Sequence, residues 1–180
     1  MKVIAIIVAV TIVALVAFAA VDHMINAPTV TAISSSIVDE NALTATISGE
    51  INRPGTYVLS EGAKLIDLIT AASGTTSNAD TLAFNTDFVL QKKGSYYIAP
   101  IYDNGNTCAV TPIVKANINK ASQEDLISIA GFGKAAASAL VSYRASTTFY
   151  AIEEIKNVSG IGDATYISVR DKITLRDAGA

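Results

Sequence analysis

One cysteine, Cys108, one histidine, His23, and no tryptophan occur among the 180 residues. A lone cysteine cannot close a disulfide within the chain, so the fold must be held by packing alone. A single histidine leaves no His cluster to hold a metal and no base for a Ser-His or Cys-His relay. The acids are scattered, whereas metal-dependent hydrolysis by an exported nuclease would need them clustered. No enzymatic chemistry and no cofactor is therefore expected. Cys108 reads as a small core or strand residue and His23 as a solvated one. Charge is sparse too, with 13 Lys and Arg against 16 Asp and Glu.

Apolar residues are plentiful, at 51% of the chain, and one segment inflates the figure. Val3 to Val21 is a 19-residue run interrupted only by Thr11. As a helix it would rise about 28 Å, close to the thickness of a bilayer core. Lys2 before it and Asp22 after it place the N-terminus in the cytoplasm and the remainder outside. Ala17-Phe18-Ala19 also has the small-x-small form of a signal-peptide cleavage site. The apolar run continues through Ala20 and Val21, which favours an uncleaved anchor, and either reading exports the rest. The expected location is the cell membrane, single-pass, with the C-terminal domains extracytoplasmic.

Residues 23–41 are rich in Ser, Thr and Ala and read as a spacer. Leu43 to Ile47 alternates apolar residues with threonine, Arg53-Pro54-Gly55 makes a turn, and Thr56 to Leu59 resumes strand composition, predicting a β-hairpin. Leu65, Ile66, Leu68, Ile69 and Ala72 recur at helical spacing, with Gly74 placed to end the helix in a left-handed conformation. Phe88-Val89-Leu90 and Tyr96-Tyr97-Ile98 flank the turn Lys92-Lys93-Gly94 and predict a second strand-rich portion.

The C-terminal third carries one device twice. Gly131-Phe132-Gly133 and Gly160-Ile161-Gly162 lie 29 residues apart, each between two helical stretches. Glycine reaches positive φ without steric cost and lets the backbone pass close to a phosphate, while the apolar residue plugs inward. The following helix offers free N–H groups and the positive end of its dipole to the same spot. Two such hairpins packed as a pseudo-symmetric pair point to a grip on a nucleic-acid backbone. Ser122 with Asp125 forms a capping box that starts the first helix, with Leu126, Ile127 and Ile129 as its expected buried side. Ala135, Ala136, Ala137 and Ala139 permit close helix packing, Phe149 is expected to plug the junction between halves, and Tyr166, Ile167, Val169 and Ile173 supply core to the second half.

The run from Ala116 to Leu175, opening on Asn117-Ile118-Asn119-Lys120-Ala121-Ser122, resembles the paired helix-hairpin-helix DNA-binding domain of the ComEA family of competence DNA receptors. Gly49-Glu50-Ile51-Asn52-Arg53-Pro54-Gly55-Thr56-Tyr57, with the strand-strand-helix order around it, is similar to the SLBB domain, a small β-grasp module. Members of the family from single-membrane bacteria carry such a module between anchor and DNA-binding domain. The resemblance implies a transmembrane anchor at 1–22, a spacer at 23–41, an α+β SLBB-like β-grasp domain at 42–103, a linker at 104–115 and an all-α tandem helix-hairpin-helix domain at 116–176.

It also implies a receptor for double-stranded DNA in natural transformation, with a DNA-uptake channel protein as a further partner. The expected DNA contacts are the backbone of Gly131, Phe132, Gly133 and Lys134 and of Gly160, Ile161, Gly162 and Asp163, with the side chains of Lys134 and Thr165. Lys120, Arg144 and Lys156 rank second. Ala136 and Ala164 stand where the family commonly has lysine, and Asp163 adds a negative charge, which shifts the burden of binding to the first hairpin. Residues 115–180 hold eight bases against seven acids, where 22–114 hold four against nine. That weak positive balance requires Lys120, Lys134, Arg144, Lys156, Arg170 and Lys172 to sort to one face. Contacts confined to phosphates predict binding that ignores sequence and weakens steeply with salt. The near-neutral charge favours an alternative: an assembly or polymer-binding protein acting through the SLBB-like module by protein–protein contact or self-association, with a degenerate hairpin domain.

Overall fold

The computed structural model describes residues 42–103 and 111–177, which belong to one compact unit, Asp39–Ala180. The apolar run, the spacer, His23 and Cys108 lie outside the described residues.

Alternation along β1 (Leu43–Gly49) turns Leu43, Ala45 and Ile47 to the core and leaves the intervening residues half-exposed. β1 pairs antiparallel with β2 (Gly55–Leu59), Leu43 opposite Leu59 and Ile47 opposite Gly55. Gly49 leaves the strand at φ +87, where a β-carbon would strike the Ile98 carbonyl. Helix α1 (Leu65–Ala71) starts where the Lys64 amide donates to the Asp67 carboxylate at 2.8 Å. It buries Leu65, Leu68 and Ile69 against the sheet, and ends through Ser73 and Gly74, both at positive φ, with the Gly74 amide closing on the Ile69 carbonyl.

The strand-rich portion after α1 differs from expectation. Only β3 (Ser95–Ile98) is a strand, and it lies parallel to β1 in the sheet order β2-β1-β3. Phe88–Leu90 does not pair with it across the lysine turn. Its backbone is engaged by the entry to α1 instead, with the Leu65 amide on the Phe88 carbonyl and the Leu90 amide on the Ala63 carbonyl.

A second core begins at β4 (Ala116–Asn117), which pairs parallel with β5 (Ile173–Thr174) and so pins the two ends of the hairpin region together. Between them come α2 (Gln123–Asp125) running into a π-helical turn Leu126–Ala130, α3 (Lys134–Arg144), a 3-10 helix Ile152–Asn157, α4 (Asp163–Val169) and a 3-10 turn Arg170–Lys172. Phe132, Leu140, Phe149, Ile152, Ile155 and Val169 are almost fully buried there. Each contributes about 1.5–3 kcal/mol by leaving water. Phe149 stacks on Tyr143 with ring centroids 5.4 Å apart. Ile127 and Ile167, expected in the core, face solvent. The π turn widens the spiral so that Leu126 and Ala130 take the inward positions, and on α4 the adjacent Tyr166 occupies the core.

The two modules are joined directly. Tyr97 on β3 donates its amide to Glu153 Oε1 at 2.7 Å and its hydroxyl to Asp171 Oδ1 at 2.7 Å, while the Arg170 guanidinium lies 3.7 Å above its ring. Lys115 Nζ, nearly buried, pairs with Asp80 at 2.7 Å and donates to the Pro100 carbonyl. The Leu175 amide donates to the Leu82 carbonyl, and Arg176 donates to the carbonyls of Thr81 and Phe84. The end of the expected linker is therefore part of the joint: Ile113 bonds to the Ile101 carbonyl, and Lys115 carries the buried ion pair.

Candidate nucleic-acid interface

Ser122 Oγ accepts the Asp125 amide at 3.0 Å, and the Asp125 carboxylate accepts the Ser122 amide, which sets the start of α2. The chain then reaches Gly131 at φ +84, whose amide and that of Phe132 both close on the Leu126 carbonyl. Phe132 plugs the core at 2% exposure. Gly133 caps α3 and accepts the Ala137 amide, so the amides of Lys134, Ala135 and Ala136 precede the first bond of that helix.

The second hairpin repeats the geometry. Gly160 sits at φ +87, the Ile161 amide closes on the Val158 carbonyl, Ile161 is buried, and Gly162 caps α4 by accepting the Tyr166 amide. Gly131 and Gly160 need glycine for their left-handed backbone. Gly133 (φ −64) and Gly162 (φ −98) do not, and a β-carbon on either would meet nothing within 4 Å. All four glycines are exposed.

The expected side chains divide. Lys134 is exposed at the mouth of the first hairpin and has no ion pair among the described residues. Thr165 is half-buried on α4. Lys120 is exposed and pairs with Asp177 at 3.0 Å, and bonds from Asn117 and Lys120 hold the Asp177 carboxyl below its usual range. Lys156 pairs with Asp163 at 3.4 Å and lies 5.3 Å from the Tyr166 ring centroid, so the acid beside the second hairpin occupies its nearest base.

Arg144 is engaged within the fold. Its guanidinium donates to the Ile118 and Ala121 carbonyls, tying α3 to the entry segment, so it is structural and not a free cation. Arg170 likewise turns to Tyr97, so the bases do not all sort to one face. The joint residues Tyr97, Glu153 and Asp171 were not singled out in the sequence as a group. Burial raises the pKa of Glu153, whose Oε1 accepts from Tyr97 N and from Tyr166 Oη at 3.0 Å. Burial first, and then the neighbouring carboxylates, raise those of Tyr97 and Tyr166.

Residues 111–174 match the family described as helix-hairpin-helix motif, and residues 44–86 match the SLBB domain. The chain is 31% identical over 140 residues, 72% of its length, to ComE operon protein 1 of Bacillus subtilis (strain 168), covering 68% of that protein.

Proposed function

The chain belongs to the ComEA family, and from that premise we propose that it is a membrane-anchored, extracytoplasmic receptor that holds double-stranded DNA by its phosphates, without regard to sequence, for uptake in natural transformation. One observation carries the proposal. Gly133 and Gly162 occupy backbone conformations open to any residue, in open space, at N-cap positions where Ser, Asp or Asn would cap better. Neither the backbone nor the packing calls for glycine there. A partner whose own backbone must come within hydrogen-bonding distance of the main chain does. Phosphate oxygens fit that role, because they can accept from the free amides of Lys134 to Ala136, with Lys134 as the nearest unpaired cation.

The anchor reading is supported by the apolar run Val3–Val21 and the charges flanking it. A channel protein that receives the DNA is the partner this role requires. The test is equilibrium binding of the full chain to random-sequence duplexes across a salt titration, beside a Gly131→Val/Lys134→Glu variant. Binding that is indifferent to sequence, steep in salt and lost in the variant is expected; absence of binding at low salt would overturn the proposal.

A second reading draws on the pairing of Lys156 with Asp163 and of Lys120 with Asp177. Those pairs leave little free positive charge, as in a scaffold that serves assembly through the SLBB module. Self-association of a wild-type chain that ignores DNA would select it.

A further inference from the structure

Along the 3-10 helix that leads to the second hairpin, the joint between the modules forms an open cleft of about 320 Å³. Its walls come from both modules: Lys93 from the turn entering β3 and Ser95 from the start of that strand, and Glu153, Glu154, Lys156 and Asn157 from the 3-10 helix that leads to Val158 and Gly160. Both acids are turned to backbone amides. Glu153 accepts from Tyr97 N, and Glu154 Oε2 accepts the amides of Tyr150 and Ala151 at 2.6 and 3.0 Å. The other polar side chains of the lining are hydroxyls, amides and two bases, of which Lys156 is already paired with Asp163.

Lys93 is held there at a cost. It is the third residue of a turn closed by the Gly94 amide on the Gln91 carbonyl, and its own amide is fixed to the Thr44 carbonyl at 2.7 Å. Its φ is +60, a place that turns of this kind normally give to glycine or asparagine. A lysine there is strained, and strain of this sort clusters where a side chain must be aimed. The side chain is exposed and makes no ion pair among the described residues.

We infer that the phosphate track leaving the second hairpin continues into this cleft, and that Lys93 of the SLBB module is a DNA contact supplying the positive charge that the second hairpin lacks. The inference rests on the DNA reading above. It gives the joint a purpose, because the hydrogen bonds of Tyr97 to Glu153 and Asp171 fix the distance between Lys93 and the hairpin.

The test compares full-length wild type with Lys93→Gly and Arg53→Glu by duplex binding across a salt titration and by thermal unfolding. Arg53 is an exposed base beyond the far end of β1 from the lysine turn, and its reversal removes twice the charge that Lys93→Gly removes, a stringent control for net charge. Lys93→Gly relieves the turn, so its melting temperature should hold or rise. Its log–log salt slope should fall by about 0.9, with roughly eightfold weaker binding at about 0.1 M salt, as one lost phosphate contact requires. Arg53→Glu should leave the slope unchanged. A wild-type slope in Lys93→Gly, or an equal fall in both variants, overturns the inference while the DNA reading stands; a wild type that binds no duplex overturns both.

Discussion

The two glycines of the first hairpin should separate folding from binding when each is replaced by alanine. Gly131→Ala forces a side chain into φ +84, at about 1–2 kcal/mol. For a unit of this size that lowers the melting temperature by about 3–8 °C. Gly133→Ala keeps an ordinary backbone conformation, and its β-carbon has no neighbour within 4 Å. The unfolded chain loses entropy worth about 0.4–1 kcal/mol, offset by a poorer N-cap of similar size, so stability should stay within about 0.5 kcal/mol of wild type. Binding should move the other way. A methyl group at Gly133 holds a phosphate beyond reach of the amides, and each charge-assisted hydrogen bond lost costs about 1.5–3 kcal/mol, so affinity should drop about 10- to 100-fold. Gly162→Ala should behave like Gly133→Ala, less severely if the first hairpin carries more of the grip. Differential scanning fluorimetry and fluorescence anisotropy on one preparation read both quantities. Wild-type affinity in a well-folded Gly133→Ala protein would refute the idea that this glycine is kept for a partner.

Lys134→Ala should reduce the salt slope by about 0.9 without changing the melting temperature, whereas Arg144→Met should leave the slope alone and cost about 1–3 kcal/mol by stranding the Ile118 and Ala121 carbonyls. Lys115→Met leaves Asp80 buried and unpaired and should cost about 3–5 kcal/mol in urea unfolding; Lys64→Ala, at the exposed pair with Asp87, should leave the midpoint unmoved. Because burial raises the pKa of Glu153 above its unfolded value, folding favours its protonated form. Its contribution is therefore most favourable below the unfolded pKa and is lost as pH rises through the folded one. Glu153→Gln should match wild type near pH 4 and exceed it at neutral pH; a constant difference across that range would show that the carboxyl does not titrate as described.

Local chemistry made the hairpins legible. A glycine at positive φ, an apolar plug and the Ser122–Asp125 capping box each act over a few residues, so spacing alone located them. The β1–β2 hairpin and α1 were legible for the same reason, through alternation and 3.6-residue recurrence. The joint was not. Tyr97 meets Glu153 and Asp171 across 56 and 74 residues, and no periodicity in either segment reports the other. Arg144 looked like a phosphate ligand because charge is visible in sequence and hydrogen bonds to distant carbonyls are not. Ile127 and Ile167 were placed in the core on hydrophobicity. A π turn and a neighbouring tyrosine took those positions, and both are decided by tertiary packing.

The pairing of β4 with β5 bears on how the protein carries tension. The hairpin region enters at Ala116 and closes at Thr174, and the same neighbourhood is riveted to the SLBB module by Lys115–Asp80 and by Leu175 on Leu82. If DNA is seated at the hairpins as proposed, a pull on it would be shared between these rivets and the Tyr97 clamp, in parallel, before reaching the residues on the N-terminal side of β1. Beads on a slack tether would stretch and yield one after the other; two modules joined at several points should instead pass the load on together and yield as a single piece.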